Sequence, residues 1–321
     1  MTSVVIGLDT SNYRTSVAAV TLEGEIVLNH RSLLPVPAGE RGLRQSEAVF
    51  AHVRQLAAAS SEIRRVAGAY PIAAVDASSQ PRDGESSYMP VFQAGVTAGS
   101  ILAAGLDVPF FTTTHQRGHL AAAAHGTPLA GTGEMLALHL SGGTTDLLWL
   151  RDGELKQIGG SLDLHAGQLV DRVGVALGMS FPAGPELEQL AIRGVSEGRL
   201  GVSMEQGDLF CHLSGAESQL QRELRRGEAR PEDLAREVYD LLARTVARML
   251  RAGKQVTGLD QALVAGGVAA SPLFRMLLDQ RLSKDRQAPS AVYGSPDLSG
   301  DNAVGVALIG IKEIKNVRDY S

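Results

Sequence analysis

The chain opens with three short apolar runs divided by polar turns. SVVIGLD (3–9), TSVAAVTL (15–22) and IVLNH (26–30) are rich in β-branched residues, and SNYR and EGE separate them. That pattern predicts a three-stranded meander. A helix is expected over 43–65, where Leu43, Val49, Val53 and Leu56 are spaced for one buried face. IAAVDAS (72–78) reads as a buried strand, and SSQPRDGESSYMP (78–90) as a loop marked by Pro, Gly and Asp. VFQAGVTAGSILAAGLDVPFF (91–111) is the most membrane-like run. Gln93, Asp107 and Pro109 interrupt it, so it predicts a tightly packed core helix followed by a strand.

The opening pattern then returns roughly 130 residues later. EMLALHL (134–140), TTDLLWL (144–150) and LKQIGG (155–160) are again three strands divided by polar turns. A repeat of this length signals a duplicated domain, not a solenoid. Beyond it, helices are expected at 163–178, 185–194 and 231–253. The last has Pro231 at its start, acids in its first turn and a stripe of Leu234, Val238, Leu241 and Thr245. GLDQALVAGGVAAS (258–271) reads as a strand, a Gly-Gly turn and a helix start, and 301–314 as a final helix opening on an acid. The arginines of 221–236 alternate with acids, as on a solvated face.

Composition narrows the class. A length of 321 residues suits two lobes, and the net charge of −5 leaves no overall nucleic-acid footprint. A single cysteine, Cys211, excludes an internal disulfide and fits a cytoplasmic protein; it reads as inert. The start MTSVVIGLDTS lacks the basic region of a signal peptide, and no membrane association is expected.

Three features carry candidate chemistry. The polar turns of the two meanders, DTSNYRTS and SGGTTD, have the small residues that let backbone N–H groups approach phosphate. Gly266 and Gly267 join a strand to a helix start, a third anion-binding position. His115 and His119, four apart on a helix, point to one face and can meet one ion. A zinc protease would place a glutamate after the first histidine; here it is Gln116, which cannot act as a base. Asp301, at the start of the final helix, is a candidate third ligand or a helix cap. His52 reads as structural, His165 as a residue near a glycine turn, and His125 and His212 as loop or helix-end residues.

Together these motifs resemble the tRNA threonylcarbamoyladenosine synthase subunit family, TsaD, whose members were once taken for O-sialoglycoprotein endopeptidases. The resemblance runs through IGLDTS (6–11), HQRGH (115–119), LSGGTTD (140–146), FPAGPELEQLA (181–191), LVAGGVAA (263–270) and DNAVGVA (301–307), in the family's order. It implies a duplicated α/β actin-like ATPase fold, shared with hexokinase and Hsp70, with two lobes around a nucleotide cleft. The lobes are expected at 1–110, joined by the last helix 301–321, and at 111–300. The resemblance also implies one metal ion, iron or zinc, on His115, His119 and Asp301, acting as Lewis acid. It further implies ATP or an acyl-adenylate on Asp9, Ser11, Ser141, Gly142, Gly143, Asp171, Gly184, Gly266, Gly267 and Ser271. The implied reaction moves a threonylcarbamoyl group from its adenylate to N6 of an adenosine in tRNA.

The chain departs from that pattern near the chemistry. Tyr13, Arg14, Arg117, Leu164 and Gln168 stand where the family has acids, Thr144 where it has a histidine, and Ser271 where it has an asparagine. Fewer acids leave the site more positive. A divergent paralogue is therefore expected, either a transferase or a non-catalytic nucleotide-binding subunit that pairs with a homologous chain. A sugar or acid kinase with Asp9 and Asp146 as its acids ranks below both, and a peptidase last.

Overall fold

A computed structural model describes residues 2–11, 13–35, 43–84, 88–227, 229–300 and 302–319. The predicted meander is β1 (Val4–Ser11), β2 (Arg14–Thr21) and β3 (Ile26–Leu33), antiparallel throughout. Next come α1 (Gln45–Ala69), β4 (Ile72–Gln80), α2 (Phe92–Leu106), β5 (Phe110–Thr114) and α3 (His115–Ala124). The second meander is β6 (Glu134–Leu140), β7 (Thr145–Arg151) and β8 (Glu154–Ser161). It leads into α4 (Ala166–Ala176), α5 (Gly184–Ala191), the short strands β9 (Ser203–Glu205) and β10 (Phe210–His212), α6 (Ser214–Arg226) and α7 (Pro231–Thr257). Strand β11 (Gln261–Ala265), α8 (Pro272–Leu282), β12 (Ser290–Tyr293) and α9 (Val304–Asp319) close the chain.

The duplication is visible in the strand order. One sheet runs β3-β2-β1-β4-β5 and the other β12-β11-β6-β7-β8-β10-β9. Read from the meander outward, β8-β7-β6-β11-β12 repeats β3-β2-β1-β4-β5. The parallel pairs β1–β4 and β4–β5 recur as β6–β11 and β11–β12. The additions are β9 and β10, which extend the second sheet beyond β8. These short strands and α6 were not foreseen, since two three-residue strands carry no period and α6 buries only Ala216 and Leu220.

The chain forms two compact units, Met1–His125 with Gly300–Ser321, and Gly126–Ser299. The boundary lies after α3, so the histidine helix belongs to the first unit, whereas the sequence reading drew it at 110/111. Asp301, expected to open α9, lies outside the described residues, as does part of the loop 78–90. Asn302 caps α9, its Oδ1 accepting the Val304 N–H at 3.1 Å.

In the first unit, β1 is buried along its whole length, as a central strand covered on both faces must be. Its core joins Val4, Ile6 and Leu8 to Val17, Ala19, Val66, Val75 and Ala103. Glycines then let backbone meet backbone. A Cβ on Gly7 would fall 2.3 Å from Ala303 O, and one on Gly305 would fall 1.8 Å from Gly118 O. Helix α9 therefore lies directly on β1 and on α3. In the second unit, α7 carries its predicted stripe into a core with Leu136, Leu147, Leu169 and Phe274.

The first core also holds an acid. Asp76 on β4 is fully buried, and neither carboxylate oxygen meets a hydrogen-bond partner of good geometry among the described residues. Burial pushes its pKa up to about 8; the Ala77 backbone offsets this only weakly, and the charge of Glu313 adds to the rise. A carboxyl raised in the folded state keeps its contribution below the ordinary value of 3.8 and loses it as pH rises through about 8. Asp76→Asn is therefore expected to raise the melting temperature at pH 8 by about 5 °C or more. The gain should shrink towards zero near pH 4. An equal shift at both pH values would show that the effect is not ionisation.

Candidate functional site

Strand β5 runs into α3 with no intervening loop, which sets His115 at the first helical position. Thr114 caps the helix, its Oγ1 accepting the Arg117 N–H at 3.3 Å. His119, one turn on, brings its Nε2 to 2.9 Å from His115 Nε2, with the rings edge-on at 4.3 Å between centroids. On its other side His115 donates from Nδ1 to both oxygens of Asp9, at 3.1 and 3.2 Å. That bond makes Nδ1 the donor, so it is Nε2 that carries the lone pair whenever the ring is neutral, and Nε2 faces His119.

Asp9 is 1% exposed, and the same carboxylate accepts hydroxyls from Ser11 at 2.7 Å and from Ser78. Burial alone would raise its pKa. The charge and hydrogen bond of His115 and the two serine hydroxyls outweigh burial and hold it below the ordinary value. Asp9 thus meets the histidine directly, and Ser11 is tied to it through Asp9. Behind them, His52 is buried with its Nδ1 2.8 Å from Thr15 Oγ1. Burial lowers its pKa to about 4 against the opposing charge of Asp9, so it is neutral at pH 7.

Arg117 does not leave the site more positive. Its guanidinium forks onto Asp83, with Nε at 2.9 and 3.0 Å from the two oxygens and a further nitrogen at 2.5 Å. Thr114 Oγ1 donates to the same carboxylate at 3.1 Å. Asp83, in the loop after β4, carried no sequence signal linking it to Arg117. Among the described residues, no three His, Cys, Asp or Glu side chains are arranged to hold a metal ion.

The second unit holds a cavity of about 360 Å³. Of the residues picked from sequence, Ser141, Gly142, Asp171, Gly184, Gly267 and Ser271 line it, while Gly143 and Gly266 do not. Gly266 has φ +100°, and a Cβ there would fall 2.2 Å from Leu140 O, so it is the tight turn and not the wall. Glu188 and Tyr239 also line the cavity and were missed. Glu188 Oε1 accepts the Ser271 hydroxyl at 2.7 Å and the Leu273 N–H at 2.8 Å, tying α5 to the start of α8. Tyr239 donates its hydroxyl to Gly184 O at 3.0 Å. Asp171 accepts the Ala183 N–H at 2.9 Å. Burial raises its pKa, more than the amides of Ala183 and Gly184 lower it.

The two replaced acids of this unit have found other work. Leu164 is a core residue, and Gln168 accepts the His165 N–H at 3.2 Å as α4 begins. His212 bonds Glu205 Oε1 at 2.6 Å, far from any cavity residue in sequence, and Cys211 is buried with its thiol pushed up to about 11 by burial.

The TsaD family, described as tRNA N6-adenosine threonylcarbamoyltransferase, matches residues 89–308. This chain belongs to that family. A Methanopyrus kandleri tRNA N6-adenosine threonylcarbamoyltransferase is 29% identical, over 96% of this chain and 87% of that one. Among solved structures, T. kodakarensis HypF superposes with a TM-score of 0.65 at 14% identity, covering 98% of this chain and 48% of that longer one. A ROK family glucokinase from Streptomyces griseus, solved with glucose and AMPPNP, gives 0.52 at 15% identity over 96% of this chain and 99% of that one. The fold is that of the actin-like ATPases. No helix among the described residues is long and apolar enough to cross a membrane.

The histidine helix is positioned by its contact with α9. Gly305→Ala would drive a methyl into the Gly118 carbonyl. It is expected to cost about 1–3 kcal/mol in urea unfolding. Unchanged stability would show that the two helices part without penalty.

Proposed function

We propose that the chain is a threonylcarbamoyl transferase that moves an acyl group from an adenylate to N6 of an adenosine in tRNA. The observation that carries this is the Asp9–His115–His119 line, in which a buried carboxylate fixes one imidazole so that its Nε2 meets the Nε2 of the next. Family membership supplies the reaction class. The residues fit the metal that class implies, iron or zinc. A carboxylate on the far nitrogen of a ligating histidine orients the ring and raises its basicity. His115 and His119 would hold the ion, with Asp301 as the third ligand. Bound there, it would supply Lewis acidity towards an acyl or phosphoryl oxygen.

The remaining roles fall to the chain itself. Asp9 keeps the proton on His115 Nδ1, and Ser11 and Ser78 hold Asp9 ionised by donating to it. The cavity of the second unit takes the adenylate, with Asp171 as acceptor for a nucleoside hydroxyl and Gly184 and Gly267 leaving room for its sugar and phosphate. A tRNA acceptor and a homologous partner subunit belong to the same reading, as does a cytoplasmic location.

A non-catalytic partner subunit is the second reading, favoured by Leu164 and Gln168, which have been absorbed into the core and a helix cap. Metal content by elemental mass spectrometry separates the two. The native chain, purified without chelator, is expected to carry near-stoichiometric iron or zinc, and His119→Ala to lose it together with transfer to tRNA. Asp9→Asn should weaken metal affinity about 10–100-fold while leaving both histidines in place. A native chain that takes up no metal when iron or zinc is supplied would leave the subunit reading.

A further inference from the structure

His139 was not singled out in the sequence, yet it is 6% exposed and touches both turns at the cavity of the second unit. Its Nδ1 lies 3.1 Å from Thr144 Oγ1, and that hydroxyl lies 2.8 Å from Ser141 Oγ. A Cβ on Gly266 would fall 2.9 Å from His139 Cδ2, so the ring packs directly under the second turn. Ser141 and Gly142, at the first turn, and Gly267 and Val268, after the second, line the cavity.

The first link in this chain of groups has a fixed direction. Ser141 Oγ accepts the N–H of Gly143 at 3.2 Å and of Thr144 at 3.1 Å, which uses both of its lone pairs. Its own hydrogen therefore goes to Thr144 Oγ1. The Thr144 hydroxyl, having accepted, is the link between that serine and His139 Nδ1. The amides of Gly143 and Thr144 are thus spent inside the turn. This differs from the nest of phosphate-facing amides that the SGG motif predicts. The Ser141 N–H is spent too, on Thr144 O at 2.9 Å. Gly142, whose amide nitrogen stands where a Cβ on Gly167 would fall 2.6 Å away, is the part of the turn left to face the cavity beside the start of α4.

We infer that His139 is a positioning residue for the anionic part of the nucleotide: bonded to the Ser141–Thr144 hydroxyl pair and packed under the Gly266 turn, it holds the 141–144 turn so that Gly142 meets phosphate. This rests on the reading that the cavity takes an adenine nucleotide. The nucleoside contacts assigned to Asp171 are on other elements, so the effect is confined to the charged end of the ligand.

The test is calorimetric binding of ATP and of adenosine to the full chain and its variants. His139→Leu and Thr144→Val each remove one link. Each is expected to weaken ATP about ten-fold while adenosine stays within about two-fold. His139→Gln, whose side-chain amide can accept or donate, should recover most of the ATP affinity. The double variant His139→Leu/Thr144→Val should be no weaker than the poorer single one, because both cut the same chain. Loss of packing alone would not give rescue by Gln or a selective effect on ATP. Should His139→Leu fail to fold, Thr144→Val and His139→Gln carry the same comparison. A native chain that binds neither ligand would overturn the nucleotide reading and this inference with it. Native binding of both, with variants that move ATP and adenosine equally or not at all, would overturn the role of His139 alone.

Discussion

The first unit depends on one close approach, that of the α9 backbone to β1 and α3. Gly7 and Gly305 remove the side chains that would hold these elements apart by the width of a methyl group. Such contacts leave no slack, because a backbone carbonyl cannot rotate away as a side chain can. Asp9 sits two residues beyond Gly7 on β1, and His115 sits three residues before Gly118 on α3. The same seam that packs the core therefore fixes the carboxylate against the imidazole. The 3.1 Å bond between Asp9 and His115 is the endpoint of that packing.

Electrostatics then explain how the unit tolerates a buried charge. An isolated carboxylate at 1% exposure would neutralise itself by taking up a proton. Asp9 avoids this because three donors converge on it from β1, β4 and α3. Asp76, one strand away, has no such set and is driven the other way. Two aspartates on adjacent strands of one sheet thus differ in ionisation because of their donors, and burial alone does not separate them. Arg117 follows the same logic at the surface, where Asp83 answers its charge with a fork that a count of family acids could not anticipate.

Much of the fold was legible because its signals are periodic or punctuated. The two meanders, the α7 stripe and the strand-to-turn step at Gly266 all follow from spacing. What escaped were features made only in three dimensions. Glu188 reads as one acid on an amphipathic helix until Ser271 and the Leu273 amide are seen on its oxygen. Arg117 reads as added charge because Asp83, which answers it, is 34 residues away. Asp9 carries no sequence signal that ties it to His115, because the two are 106 residues apart. His139 looks like one polar residue in a buried strand, which has no periodic signature.

The duplication gives that last miss a structural meaning. A constant offset of 130 residues carries β1 onto β6, and with it Asp9 onto His139, Ser11 onto Ser141 and Arg14 onto Thr144. In each copy the residue two before the serine is a buried, ionisable side chain. In the first copy it is a carboxylate that accepts from the serine and orients a histidine. In the second it is a histidine bonded, through a threonine, to the serine. One backbone position thus carries, in each copy, an ionisable side chain tied to the serine hydroxyl two residues on, directly in the first copy and through a threonine in the second.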